Sequence, residues 1–156
     1  MQQDQQNNSG YLKALSILHL ALLMGQVLFG VITVFLRVSG EFNTDMPEMR
    51  DVFLYLVPIV TIAAIFAGNT IFKSRLATAK EKSSLTEKLN DYRAALIVRY
   101  ALLEAPCLLA IIAYLLTGEL LFICIAGMAI IIFFVLRPSK ERMAKDLELS
   151  AAETDI

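Results

Sequence analysis

Four long apolar runs separated by shorter polar stretches organise this 156-residue chain. They cover 14–36 (23 residues), 52–72 (21), 94–117 (24) and 120–136 (17). A helix needs roughly 20 apolar residues to cross about 30 Å of hydrocarbon, so each run is at or near spanning length. Backbone groups cannot stay unpaired in lipid, and the alternation of a β-barrel strand is absent. The pattern therefore predicts an all-α integral membrane protein whose four transmembrane helices form two tandem helical hairpins. Residues 1–11 read as a disordered polar tail, 12–137 as the transmembrane domain with a helical loop over 73–93, and 138–156 as a C-terminal tail.

The polar stretches carry their own signals. Ser84-Leu85-Thr86-Glu87 matches a capping box, in which Ser closes a backbone donor and Glu reaches back. A helix starting there has no stop before Pro106 and projects about nine residues, roughly 13 Å, beyond the third apolar run. Leu85, Leu89, Tyr92 and Leu96 form an apolar stripe along it. The stripe either packs on the end of the second helix or is a partner-binding surface made of Leu85, Leu89 and Tyr92. Met143 and Leu147 repeat the spacing within 139–149 and suggest an interfacial helix, with a frayed end over 150–156.

Basic residues set the expected orientation. Lys73, Arg75, Lys80, Lys82, Lys88 and Arg93 fall between the second and third runs, and Arg137, Lys140, Arg142 and Lys145 follow the fourth. The 37–51 connection has two basic residues against four acids, and Gly118-Glu119 has none. The positive-inside rule then places both termini and the 73–93 loop in the cytoplasm, of a cell inner or plasma membrane.

Helix three also lies over helix one at an offset of 80. Between 17–36 and 97–116, seven of 20 positions are identical: Ile17, Ala21, Leu22, Leu23, Leu28, Ile32 and Leu36 recur at 97, 101, 102, 103, 108, 112 and 116. Gly25 and Gly30 meet Ala105 and Ala110. A duplicated hairpin or a chance match of Leu-rich spans explains this equally well; a duplication makes a parallel repeat.

Composition agrees with the pattern: 57% of residues are hydrophobic and 19% charged, against about 45–50% and 25% in ordinary soluble domains. The net charge of −1 gives no basic surface for nucleic acid. Cys107 and Cys124 both fall within apolar runs and read as small packers, not a disulfide or zinc framework. Zinc-protease, hydrolase-elbow and phosphate-loop motifs are absent, so the chain reads as non-enzymatic and without a cofactor. One histidine does not make a b-type haem pair.

The candidate ion or proton site is the set Glu104, Arg99, His19, Gln26 and Pro106. Glu104 is the eleventh of the 24 residues of run three, where an ionised carboxylate is costly unless paired or hydrated. Pro106 frees the carbonyl of Leu102, one turn away. A proton or cation site and a protonated Glu104 bonded across the bundle both fit. Arg99 lies five residues from Glu104, about 140° around the helix, so it reads as snorkelling to the headgroups or supporting the site. His19 and Gln26, seven apart, share a face of helix one.

The segment Ala101-Leu102-Leu103-Glu104-Ala105-Pro106, continuing into Leu108-Leu109-Ala110-Ile111-Ile112, resembles the carboxylate helix of the rotor-ring proteolipid subunits of rotary ATPases. Those subunits carry H⁺ or Na⁺ on an Ala/Leu-flanked glutamate at mid-membrane. In that family the glutamate lies on the second helix of a hairpin and the hairpin loops face the cytoplasm. Here Glu104 opens the second hairpin, and the charge asymmetry puts the loops outside. The resemblance implies a homo-oligomer or a subunit of a larger membrane complex, translocating or sensing protons through Glu104. The competing expectation is a scaffold or assembly subunit that binds its partner through the cytoplasmic helices.

Overall fold

A computed structural model describes residues 2–42 and 46–150, with side chains from residue 10 onward. The described residues form five helices and no strand: α1 Gln2–Val38, α2 Pro47–Lys80, α3 Leu85–Thr117, α4 Leu120–Val135 and α5 Lys140–Leu147. Three of them, α1 from Gly10, α2 and α3, are long and apolar enough to cross a membrane. A fourth span is obtained if α4 and α5, bent by 78° to each other, are taken together. Large side chains stay exposed all along the bundle, among them Leu28 and Phe35 of α1, Tyr55 and Phe66 of α2, and Met128 and Ile131 of α4. So much apolar exterior is unusual for a protein in water and is compatible with immersion in lipid.

The polar stretch at the N-terminus departs from expectation, because α1 begins at Gln2. Residues 2–10 continue the helix instead of forming a coil. The end of the C-terminal tail, 151–156, lies outside the described residues.

α3 is the centre of the bundle, with α2 on one side and α1 and α4 on the other. α1 leans chiefly on α3 and α4, so α1 and α2 are not the self-packed hairpin that the order of runs suggests. The reason is the fit of faces. α2 turns Phe53, Val57, Gly68 and Phe72 inward, and at Gly68 an added Cβ would already touch Arg99 and Leu102 of α3 at 3.8 Å. The glycine lets those two helices close, which leaves α1 to pack elsewhere.

Two ends frame the bundle. At one, Gly118 takes φ +70 and its N–H donates to the Tyr114 carbonyl at 2.8 Å, ending α3. This is the left-handed cap that glycine adopts without a Cβ penalty. Arg50 Nε there donates to Glu119 Oε2 at 2.6 Å, tying the start of α2 to the α3–α4 turn.

At the other end, Pro138 follows α4 and α5 folds back beneath α2 and α3. Met143 and Leu147 are buried there with Ala79, Leu89, Tyr92 and Leu96. α5 is thus a plug on the bundle, not the interfacial helix its spacing suggested. The Ser139 side chain accepts from the Arg142 N–H at 3.2 Å and caps it. Ser84 has the extended backbone of a cap residue, but its side chain makes no cap hydrogen bond. α3 therefore starts where the capping box predicts without the bond that defines one.

Candidate functional site

Among the described residues, three polar side chains are buried: His19 at 4%, Gln26 at 1% and Thr33 at 1% exposure. They recur every seven residues on the inward face of α1, and 14 residues at 1.5 Å make the line about 21 Å long. None of their side-chain N or O atoms has a hydrogen-bond partner. His19 lies flat on Phe133 of α4, ring centroids 4.7 Å apart and planes 9° apart, and tilts against Tyr100 of α3 at 4.9 Å. Thr33 differs from Thr61 and Thr117. Those two each donate to the carbonyl four residues back at 2.7 Å, the usual way for a helix to satisfy a hydroxyl.

Buried polar groups in folded proteins are nearly always bonded, so a line of three without partners marks α1 as the helix with unspent chemistry. His19 and Gln26 are among the residues expected from sequence. Thr33 was missed, although it continues the same seven-residue spacing and that signal was open to reading.

The remaining candidates are elsewhere. Arg99 Nη2 donates to Asn69 Oδ1 of α2 at 2.6 Å, and its Cζ lies 4.7 Å from the Phe72 ring centroid. The guanidinium is held inside the α2–α3 contact by an amide and an aromatic face, with its Nε buried and unbonded. This corrects the snorkelling expectation. Asn69, in run two, is a partner that spacing along α3 alone does not reveal. Pro106 is fully buried, and α3 runs through it without interruption.

Glu104 is half-buried and turns toward the outer flank of α3, which it shares with Ile97, Ala101, Ala105 and Ile112. No hydrogen bond or ion pair joins it to any described residue, while Arg99 is bonded to Asn69 and His19 is stacked on Phe133. The expected five-residue site therefore comes apart: His19 has an aromatic setting, Arg99 an amide clasp, Gln26 is buried unbonded on α1, Pro106 is buried on α3, and the Glu104 carboxyl group lies outside. Helix phase explains this, since Glu104 and Arg99 point about 140° apart on one helix and His19 approaches from another.

The stripe expected as a partner surface is interior. Leu89 and Tyr92 are each 2% exposed and Leu85 packs against the same cluster. The Tyr92 hydroxyl donates to Asp146 Oδ2 of α5 at 3.1 Å. The end of α2, through Phe72 and Ala79, and α5 together cover the stripe, as its packing on the second helix predicted, so these side chains are not available to a partner. Among the described residues no group of three or more His, Cys, Asp or Glu is placed to hold a metal ion. No protein-family model, curated protein or solved structure matches the chain.

Proposed function

We propose that the chain is a four-span, non-enzymatic integral membrane protein with both termini and the 73–93 connection in the cytoplasm. It works as a homo-oligomer or as a subunit of a larger membrane complex, and protons are passed or sensed at Glu104. The observation that carries this reading is a carboxyl group near the middle of an apolar span, on the outer flank of its helix, with no bonding partner among the described residues.

An ionised carboxylate facing lipid is too costly to persist, so in an isolated chain Glu104 holds its proton. A neighbouring subunit offering water or a polar group would let that proton leave and return. Ala101 and Ala105 flank Glu104, and small residues allow a second helix to approach closely. His19, Gln26 and Thr33 supply a second line of polar groups inside the same chain.

The test is proton uptake into liposomes holding the purified protein, driven by a potassium diffusion potential. Glu104→Gln should lower the flux at least tenfold while leaving the melting of the bundle unchanged. A hydrophobic carbodiimide, which modifies protonated carboxyl groups in apolar surroundings, should label Glu104. Equal flux from the variant, or none from folded wild type, rejects the proposal.

A further inference from the structure

The contact between α1 and α4 is lined by two separate cavities that use one face of each helix. Its α1 wall is Ser16, Leu20, Leu23, Val27, Val31 and Val34, spaced four, three, four, four and three residues apart, which is a single helix face. Ile123, Gly127, Ile130, Phe134 and Arg137 form the facing wall at the same kind of spacing. The cavities measure about 350 Å³ around Gly30 and Gly127 and about 360 Å³ beside His19 and Arg137.

The two cavities differ in chemistry. The Gly127 cavity is apolar throughout, and a Cβ added at Gly127 would meet nothing within 4 Å. The other cavity brings together the hydroxyl of Ser16, the exposed guanidinium of Arg137 and the imidazole of His19, whose two nitrogens are buried and unbonded. Arg142 adds a second positive charge, because its Nη1 donates to the carbonyls of Val135 and Arg137 at 3.0 and 3.5 Å.

We infer that the two cavities together bind an anionic phospholipid, its phosphate on Arg137 and Ser16 and one acyl chain lying toward Gly127. The lengths agree. From Arg137 to Gly127 is ten residues, about 15 Å along α4, half of the roughly 30 Å hydrocarbon thickness and so the depth of one leaflet. Basic pockets between spanning helices recognise acidic headgroups in this way, and a guanidinium matches a phosphate with paired donors. The inference rests on the membrane-spanning reading and is independent of proton movement at Glu104.

Extraction of membranes with alkaline carbonate checks the membrane-spanning reading first, and release of the chain at that step overturns it before any lipid is added. The full chain, purified in detergent, is then titrated with phosphatidylglycerol and with phosphatidylcholine of the same acyl chains, and bound lipid is counted by native mass spectrometry. One phosphatidylglycerol per chain is expected, bound at least tenfold more tightly than phosphatidylcholine. Arg137→Gln should remove that preference, and Gly127→Leu, which fills open space, should weaken both lipids. Equal binding of the two lipids, or indifference to both variants, overturns the inference. A phosphatidylglycerol bearing a photoreactive group at mid-chain gives a readout that needs no variant. Crosslinks on 123–134 or 27–34 support the inference, and crosslinks confined to α2 or the outer flank of α3 refute it.

Discussion

α1 and α3 match at seven of 20 aligned positions but place their polar groups differently. At aligned positions both helices turn the same phase inward: Gln26 and Pro106, Gly30 and Ala110, and Thr33 and Ala113 are all buried. On α1 two of those positions are polar and unbonded; on α3 all three are apolar or small. The outer flanks reverse this. Met24 of α1 is 57% exposed, whereas its counterpart on α3 is Glu104. α3 is packed on several sides, and its inward polar groups at Tyr92 and Arg99 are bonded while Glu104 lies on the open flank. α1 is packed along one face, and its polar groups sit on that face. A burial pattern shared by two helices therefore says little about where each keeps its chemistry.

The largest effect on this comparison should come from Phe133→Ala. Phe133 is fully buried and carries both His19 and Tyr100. Losing a buried aromatic ring costs about 3–5 kcal/mol, so a thermal melt in detergent should fall sharply. Phe134→Ala, its exposed neighbour, should leave the melt nearly unchanged. If the two variants behave alike, aromatic packing does not hold the polar face of α1.

Gly118→Ala should come next. It places a side chain on a left-handed backbone and drives its Cβ into the Arg37 guanidinium at the end of α1. The backbone part alone costs about 1–2 kcal/mol, and the same melt would register it.

Gln26→Leu should move stability the other way, by about 1 kcal/mol, since a buried amide without partners is replaced by an apolar group of similar size. A lower melting temperature would show that Gln26 has a bonding partner in the working protein, and would end the contrast between the two helices.

The smallest effect lies outside the apolar spans. Lys80 Nζ meets Glu148 Oε1 at 2.6 Å, and that hydrogen bond and charge hold the Glu148 carboxyl below its ordinary value of 4.5. A lowered folded-state pKa contributes stability above the unfolded value and loses it as pH falls through the folded one. Wild type and Glu148→Gln should therefore differ slightly at pH 7 and converge below pH 4.5. Both groups are solvent-exposed, so the difference should be near the limit of a melting experiment.

Much of the fold was legible because hydrophobic length is a local property. The apolar runs foretold the helices, and Ser84 marked the start of α3 even though its side chain makes no cap bond. The 85–96 stripe packs on the end of α2 as its spacing announced, but the rest of its cover, α5, is supplied by a segment more than 40 residues away. The candidate residues were legible as polar exceptions to apolar runs. Their grouping was not, because spacing along one helix says nothing of the rotation of the next.

What the sequence by itself determined is therefore the helical class, the order of the helices and the identity of the residues that lipid or a dry core would penalise. Only the tertiary structure decided which of them found partners. It gave Arg99 the amide of Asn69, set His19 between two rings, left Glu104 on an open flank and lined Ser16, His19 and Arg137 along one cavity. The physical reason is that hydrogen bonds and cavities depend on the relative rotation of packed helices, which is set by small residues such as Gly68 and by the fit of facing side chains.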